Sequence, residues 1–319
     1  MGSPERAVLG TRGSPLALWQ ARHVSRLLER ASPGLAVELA IIKTEGDRVA
    51  DRPFGDLKGR GFFVKEIEDA LLEGRIDLAV HSLKDLPTEQ PRGLEVAAVL
   101  PRHDPRDALL SVEGWSFAEI PARTVVATGS PRRRSQLLHA RPDLATCLVR
   151  GNVDTRIRKL REGRFGAMVL ALAGVERLGI SEVPIRPIPT EVCLPAVGQG
   201  AVAVECRERD DAIRRRLATL TDSETLLCVL AERAFLRRLG GGCLAPATAH
   251  ARIVDGRILL DAMVGDPDGG RLLRDRAEGG SEDGARLGEG LADRLLAAGG
   301  EAILTDARSA APGGAATQA

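Results

Sequence analysis

Lysine is scarce in this chain of 319 residues. Only five of its 45 basic residues are lysine (Lys43, Lys58, Lys65, Lys84 and Lys159), and the rest are arginine. An arginine excess of this kind is consistent with genomic codon bias, and each lysine that survives against it is a candidate for a specific role. Long apolar runs are absent too. Nothing approaches about 18 consecutive apolar residues, so no membrane span is expected. The opening "MGSPERAVLG" has no apolar core of the secretory type, and the expected address is the cytoplasm. Net charge is only +1, which argues against a general nucleic-acid binder. The five cysteines form no C-x-x-C pair, and no histidine stands at zinc-finger spacing, so no metal site is expected. An odd cysteine count in a cytosolic chain also argues against a disulfide framework. Cys147, Cys193, Cys206 and Cys228 sit in apolar surroundings such as "TLLCVLA" and "AVAVECR" and read as buried small hydrophobes.

Apolar content of 44% and charged content of 28% are ordinary for a globular protein, and the length suggests two or three domains. Strand-like and helix-like segments alternate, which reads as α/β. "AVLGTR", "VELAIIK", "IDLAVHS", "GLEVAAVL", "TVVATGS", "TCLVRG", "FGAMVLALAG" and "GAVAVECR" read as strands. "SPLALWQARHVSRLLER" and "FFVKEIEDALLEG" carry apolar residues at helical spacing, and Gly74 is expected to stop the second. Thr221-x-x-Glu224 has the form of a capping box. It would open a helix over "SETLLCVLAERAFLRRL" whose rows Leu226/Leu230/Ala234 and Leu227/Ala231/Phe235/Leu239 bury one side. "ARIVDGRILLDAMVGDPDGGRLL" reads as strands joined by turns at Asp255-Gly256 and at 266–270. "ARLGEGLADRLLAAG" is the last expected helix, and the small, weakly apolar tail is expected to be disordered.

Three features invite anions. "GTRGSPLALWQ" and "VATGSPRRRSQ" share the order strand, Thr, Gly-Ser-Pro, helix. Ser14 and Ser130 are expected N-caps, with Pro15 and Pro131 at the first helical position. Each would point free backbone N–H groups and a positive dipole end beyond a strand. Arginines crowd the same places: Arg12, then Arg132, Arg133 and Arg134, then Arg150, Arg156 and Arg158 at a third strand end. Cations oppose the dipole at a helix start, and a bound carboxylate would offset that conflict. The pair suggests an acidic ligand held in a cleft between two similar domains. Two ordinary capped helices and a solvated basic face remain the plainer reading.

Three further stretches stand out. "DLAVHSLKDLP" delivers His81, Ser82, Lys84 and Asp85 to a loop closed by Pro87. Asp85 could move a proton or stabilise a cation. His81 alone reads as structural. "DLKGRGFFVKE", with Lys58 and Arg60, reads as a mobile loop. In "LGGGCLAPAT", Cys243 follows three glycines, where the chain can turn closely around a thiol. By itself it is either a plain loop thiol or a nucleophile.

Over about residues 1–305 the chain resembles the porphobilinogen deaminase (hydroxymethylbilane synthase) family. The blocks that carry the resemblance are "TRGSPLALWQA", "KTEGD", "FFVKEIEDALL", "DLAVHSLKDLPTE", "HDPRDALLS", "RGNVDTRIRKL", "LPAVGQGAVAVECR", "ERAFLRRLGGGC" and "VGDPDG", in one order. The resemblance implies a transferase of tetrapyrrole biosynthesis. It would join four porphobilinogen units head to tail, lose ammonia each time, and release hydroxymethylbilane with water. It implies a dipyrromethane cofactor on Cys243 through a thioether, and Asp85 as the carboxylate that stabilises the cation left by ammonia. It also implies that Arg12, Ser14, Lys84, Thr128, Ser130, Arg132, Arg133, Arg150, Arg156, Arg177 and Gln199 bind cofactor or substrate carboxylates. Two positions depart from the family pattern. Gly129 lacks a hydroxyl usual there, and Arg60 replaces a common lysine.

The fold implied has three domains. The first two resemble periplasmic binding proteins, with mixed sheets and a double crossover, and the third is a small α+β domain carrying Cys243. The expected division is 1–105 plus 200–221, then 106–199, then 222–319 with a disordered tail from about 307. A monomer acting on porphobilinogen, with no nucleic-acid or membrane partner, is expected. The alternative is a non-catalytic, two-lobed anion-binding or effector-sensing module.

Overall fold

A computed structural model describes residues 5–44, 64–240 and 246–309. Lys58, Arg60 and Cys243 therefore lie outside the described residues. The chain divides into two compact units, 1–103 with 200–226 and 104–199 with 227–319.

In the first unit a five-stranded sheet runs in the order β2-β1-β3-β10-β4. Its strands are β1 (Glu5–Thr11), β2 (Leu35–Ile41), β3 (Leu78–Ser82), β4 (Leu94–Val99) and β10 (Val202–Arg207). β1 pairs in parallel with β2 and β3, whereas β10 runs antiparallel to β3 and β4. Helix α1 (Pro15–Ala31) buries Ala21, Val24 and Leu28 on one face, at the spacing that a 3.6-residue period dictates. That stripe meets Ala7, Leu9, Leu78, Val80 and Val204 of the sheet. The other face is covered by α2 (Lys65–Leu72), through Ile67, Ala70 and Leu71. Gly74 follows α2 at φ +73°, the left-handed position that ends helices. A third helix (Asp211–Ala218), capped by Asp210 and anchored by Ile213 and Leu217, was not anticipated because "DDAIRRRLA" shows only two apolar anchors. The return strand enters through Gly200. Its φ is +90°, and a Cβ there would lie 2.4 Å from the His103 carbonyl oxygen, so only glycine fits.

The second unit contains another five-stranded sheet, β7-β6-β8-β5-β9, and a three-stranded one, β11-β12-β13. The first is built from β5 (Asp107–Leu110), β6 (Val125–Ala127), β7 (Ala145–Cys147), β8 (Ala167–Ala171) and β9 (Ile185–Pro187). β6 is parallel to β7 and β8, and β5 is antiparallel to β8 and β9. Each large sheet thus has a parallel core and one antiparallel insertion. Helices α3 (Pro131–Ala140), α4 (Val153–Arg161) and α5 (Leu172–Arg177) follow β6, β7 and β8. β5 and β9 escaped the sequence reading: one begins on a charged residue and the other ends on a proline. Numbering the Asp211–Ala218 helix as α6, the next is α7 (Ser223–Arg238).

The small antiparallel sheet joins β11 (Ala247–Val254), β12 (Arg257–Gly265) and β13 (Leu272–Gly280), with Asp255 and Gly256 both at positive φ in the first turn. Ala231 and Phe235 of α7, with Leu239 just after it, pack on Ala249, Ile258 and Leu260. Helix α8 (Gly284–Leu295) crosses α7 closely, since a Cβ at Gly288 would stand 2.3 Å from the Ala231 carbonyl oxygen.

Three expectations change here. The cap of α7 is Asp222, whose Oδ1 accepts from the Thr225 N–H at 2.8 Å, and not Thr221. Leu230 is exposed and not part of the buried side. After a break at Gly299 (φ +106°) a further helix, α9 (Glu301–Ser309), takes in the first residues of the expected tail, and 310–319 lie outside the described residues. Among the described residues no helix is long and apolar enough to cross a membrane.

Candidate active site

Both Gly-Ser-Pro segments cap helices as their composition dictates. Ser14 sits in extended backbone before Pro15, and its hydroxyl accepts from the Ala17 N–H at 3.3 Å. Ser130 does the same before Pro131, accepting from Arg133 N–H at 3.4 Å. Each follows a parallel strand, β1 or β6, at the sheet end where α/β proteins meet ligands.

In the first unit the cap opens into a pocket of about 70 Å³. Arg12, Ser14, Gln20, His81, Ser82 and Asp85 supply its polar wall; Leu16, Ala17, Val64 and Val80 supply the rest. Three of the expected residues, Arg12, Ser14 and Asp85, are therefore brought together. Lys84 stands next to Asp85 on a short 3-10 turn, Leu83–Asp85, but does not line the pocket. The turn is tied to β10 by the Leu83 N–H donating to the Ala201 carbonyl. Asp85 itself is exposed. Gln20 is buried and donates through Nε2 to the Ser82 hydroxyl at 2.9 Å, bracing α1 against the end of β3. Gln20 was missed in the sequence because a lone glutamine on a helix carries no pattern.

In the second unit the arginines divide into two kinds. Arg132 and Arg133, both buried, converge on Asp107, which is fully buried at the start of β5. Arg132 Nη1 is 2.8 Å from Asp107 Oδ2, and Arg133 donates through Nη2 to Oδ1 at 2.7 Å. Gln199 adds a donation to the same Oδ1 at 2.8 Å, and the Cys193 thiol approaches Oδ2 at 3.4 Å. Burial alone would push the Asp107 carboxyl up. Arg132 and then Arg133, by charge and hydrogen bond, hold it well below the usual carboxylate range. Cys193 goes the other way, pushed up to about 12 by burial and by Asp107. It is buried, as expected, and is also a hydrogen-bonded member of this cluster. Asp107 was overlooked within "HDPRDALLS", although an acidic residue opening a wholly apolar strand is a signal that it needs internal cations.

Arg156 is the other kind. It lies on the first turn of α4, which Asn152 caps, and its Nε donates to the Gly151 carbonyl at 2.8 Å. Burial, then the charges of Arg133 and Arg150, lower its guanidinium to about 10. Arg177, ending α5, is also lowered by burial. Thr128 is buried beside the Ser130 cap, whose N–H donates to its hydroxyl at 3.3 Å. At Gly129 an added Cβ would meet the Val149 carbonyl oxygen at 3.4 Å, an ordinary contact, so the missing hydroxyl is not imposed by lack of space. Cations gathered beside a capped helix start form a donor set suited to a ligand bearing several carboxylates.

Two family models match the chain. One is described as "Porphobilinogen deaminase, dipyromethane cofactor binding domain", over residues 7–215, and the other as "Porphobilinogen deaminase, C-terminal domain", over 226–297. The chain belongs to the porphobilinogen deaminase family. It is similar to the porphobilinogen deaminases of Trichlorobacter lovleyi (48% identical, 95% of this chain and 97% of that one) and Geobacter sulfurreducens (46%, 94% and 94%). Among solved structures, the periplasmic VFT2 domain of BvgS from Bordetella pertussis matches at a TM-score of 0.40 and 14% identity, over 68% of this chain and 87% of that one. Membership of the porphobilinogen deaminases displaces the non-catalytic alternative and brings with it a dipyrromethane-binding domain. The crowded arginines described above fit that group, since each of its pyrroles bears two carboxylates.

Proposed function

We propose that the chain is a hydroxymethylbilane synthase, which condenses four porphobilinogen units head to tail on a dipyrromethane primer and releases the product with water. The observation that carries this reading is the pocket in which the exposed Asp85 carboxylate stands beside Arg12 and the capped start of α1. Porphobilinogen brings an acetate and a propionate, and Arg12 with the α1 N-terminus suits such a group. Asp85 faces the cation that forms when ammonia departs, and an ionised carboxylate aimed at developing positive charge accelerates that step. Held on Cys243, the dipyrromethane supplies the free ring carbon from which the chain grows. Arg150, Arg156, Arg177, Thr128 and Ser130 bind and orient carboxylates. Lys84 adds charge at the Asp85 turn. Arg132, Arg133 and Gln199 act on the ligand partly through Asp107, which fixes their orientation. The reading includes three domains, 1–105 plus 200–221, 106–199 and 222–319, in a cytoplasmic monomer.

Intact mass under denaturing conditions, with peptide mapping, tests the reading. The expected result is a two-pyrrole adduct on Cys243, absent from Cys243→Ser. Unmodified protein from a host that makes porphobilinogen, or an adduct on another cysteine, overturns the attachment.

A further inference from the structure

Three ionisable side chains are shut together behind the pocket of the first unit. His81 on β3 is 5% exposed, Glu205 on β10 is 0%, and Glu68 on α2 is 7%. Strand register accounts for two of them. His81 stands opposite Ala203 and Glu205 opposite Ala79 in the antiparallel β3–β10 ladder, so both side chains leave the sheet on one face. Glu68 lies on α2, which packs on these strands. His81 Nε2 is 3.4 Å from Glu205 Oε2, but the pair is not aligned as a hydrogen bond. His81 Nε2, both Glu205 carboxylate oxygens and Glu68 Oε1 are buried without a hydrogen-bond partner. The surroundings are apolar: Val8 from β1, Leu94 from β4, and Ile67, Leu71 and Ala79.

Packing alone does not explain such a group. An apolar trio of the same volume would be more stable, because buried polar atoms lose water without compensation. Two carboxylates enclosed together also resist ionising together. The Glu68 carboxyl is pushed up to about 7, chiefly by burial, then by Glu205, while His81 acts against the rise and Asp69 adds to it. One member, His81, also lines the pocket that holds Asp85.

We propose that His81, Glu205 and Glu68 form a buried proton-holding cluster, in which the His81 imidazole takes up the ring proton that each condensation releases beside Asp85, with Nε2 turned toward Glu205. This rests on the deaminase reading above. At each condensation the methylene–nitrogen bond breaks and the nitrogen of the ammonium leaves as ammonia with the electron pair. A carbon–carbon bond forms, the ring C–H bond breaks, and its electrons return to the ring. One proton is left over, and it ends on the ammonia in solvent as ammonium. Among the described residues lining the pocket, His81 and Asp85 are the two whose side chains can act as proton acceptors. Asp85 must stay ionised for the next cation. The imidazole takes the proton and the two buried carboxylates stabilise it there until it is released.

The test uses cofactor-loaded enzyme and two readouts. Infrared difference spectra between pH 6 and pH 9 should show a buried protonated carboxyl titrating near pH 7 in the parent, and Glu68→Gln should remove it. Single-turnover ammonia release should rise with pH through about 7, and Glu68→Gln should move that limb by a pH unit or more. His81→Asn should lower the plateau by on the order of 10²-fold. An unchanged pH limb in Glu68→Gln together with a His81→Asn plateau within about threefold of the parent would overturn the proposal. Should His81→Asn not fold, Glu205→Gln takes its place, with the same plateau loss expected and the same threefold limit. Dipyrromethane loading of the parent, read by mass, separates failure of this cluster from failure of the deaminase reading.

Discussion

Asp85 and Asp107 are both aspartates at the edge of a strand, yet their surroundings assign them opposite work. Asp85 is exposed on a short turn in a pocket wall. Asp107 is fully buried between two guanidinium groups. Asp85→Asn keeps the side-chain volume and removes the charge. Single-turnover ammonia release by loaded enzyme should fall by on the order of 10²–10³, with the melting midpoint nearly unchanged. Turnover near the parent value would reduce Asp85 to a loop residue. Asp107→Asn leaves two buried arginines facing a neutral amide. A loss of about 3–5 kcal/mol in denaturant unfolding is expected, because breaking a buried pair strands its charges. The Asp107 carboxyl lies below its unfolded value, so its contribution is present above about pH 4 and disappears as acid protonates it. If Asp107→Asn unfolds at the parent's denaturant midpoint, the cluster is not a structural anchor. The sequence displayed the arginines plainly, since their types and spacing are one-dimensional. It did not reveal that two of them turn inward, because that depends on which strand lies beside β8.

At the level of elements, local chemistry was readable where it is strong. The two Ser-Pro helix starts and the Asp255-Gly256 turn follow from residue type alone. At α7 two adjacent caps competed, Thr221 and Asp222, and one residue of register decided for the aspartate. Strands β5 and β9 have three or four residues each, too short for a period to show. Helix α2 offers a test of its own. Glu68 has a raised carboxyl, so between about pH 4.5 and 7 the unfolded chain is ionised while the folded one keeps its proton. The unfolded state then binds fewer protons, and stability falls as pH rises through that window. Glu68→Gln removes the effect. It should be more stable than the parent at pH 8 by about 2 kcal/mol, with the difference vanishing below about pH 4.5. Urea unfolding at the two pH values measures it, and equal differences at both would mean that Glu68 ionises freely.

On the scale of the whole molecule, the folded chain sets Arg156 close to other cations. Arg156 is depressed by burial and by Arg133 and Arg150, so the folded state carries repulsion that its unfolded chain escapes. A covalently held ligand with several carboxylates binds only the folded form and should raise stability accordingly. Cys243→Ser, which cannot be loaded, should therefore melt several degrees below the loaded parent in low salt. Added salt should narrow the gap by screening the exposed part of the repulsion. Arg156→Leu separates this cause from any other effect of the serine. In the Cys243→Ser background it removes a half-buried, repelled cation and should raise the midpoint. In the loaded parent it removes a carboxylate partner and should lower both the midpoint and turnover. Opposite signs in the two backgrounds are the signature of a site held unstable for its ligand. The same sign in both would make Arg156 an ordinary structural residue, and the stability gained on loading would then have to come from other contacts.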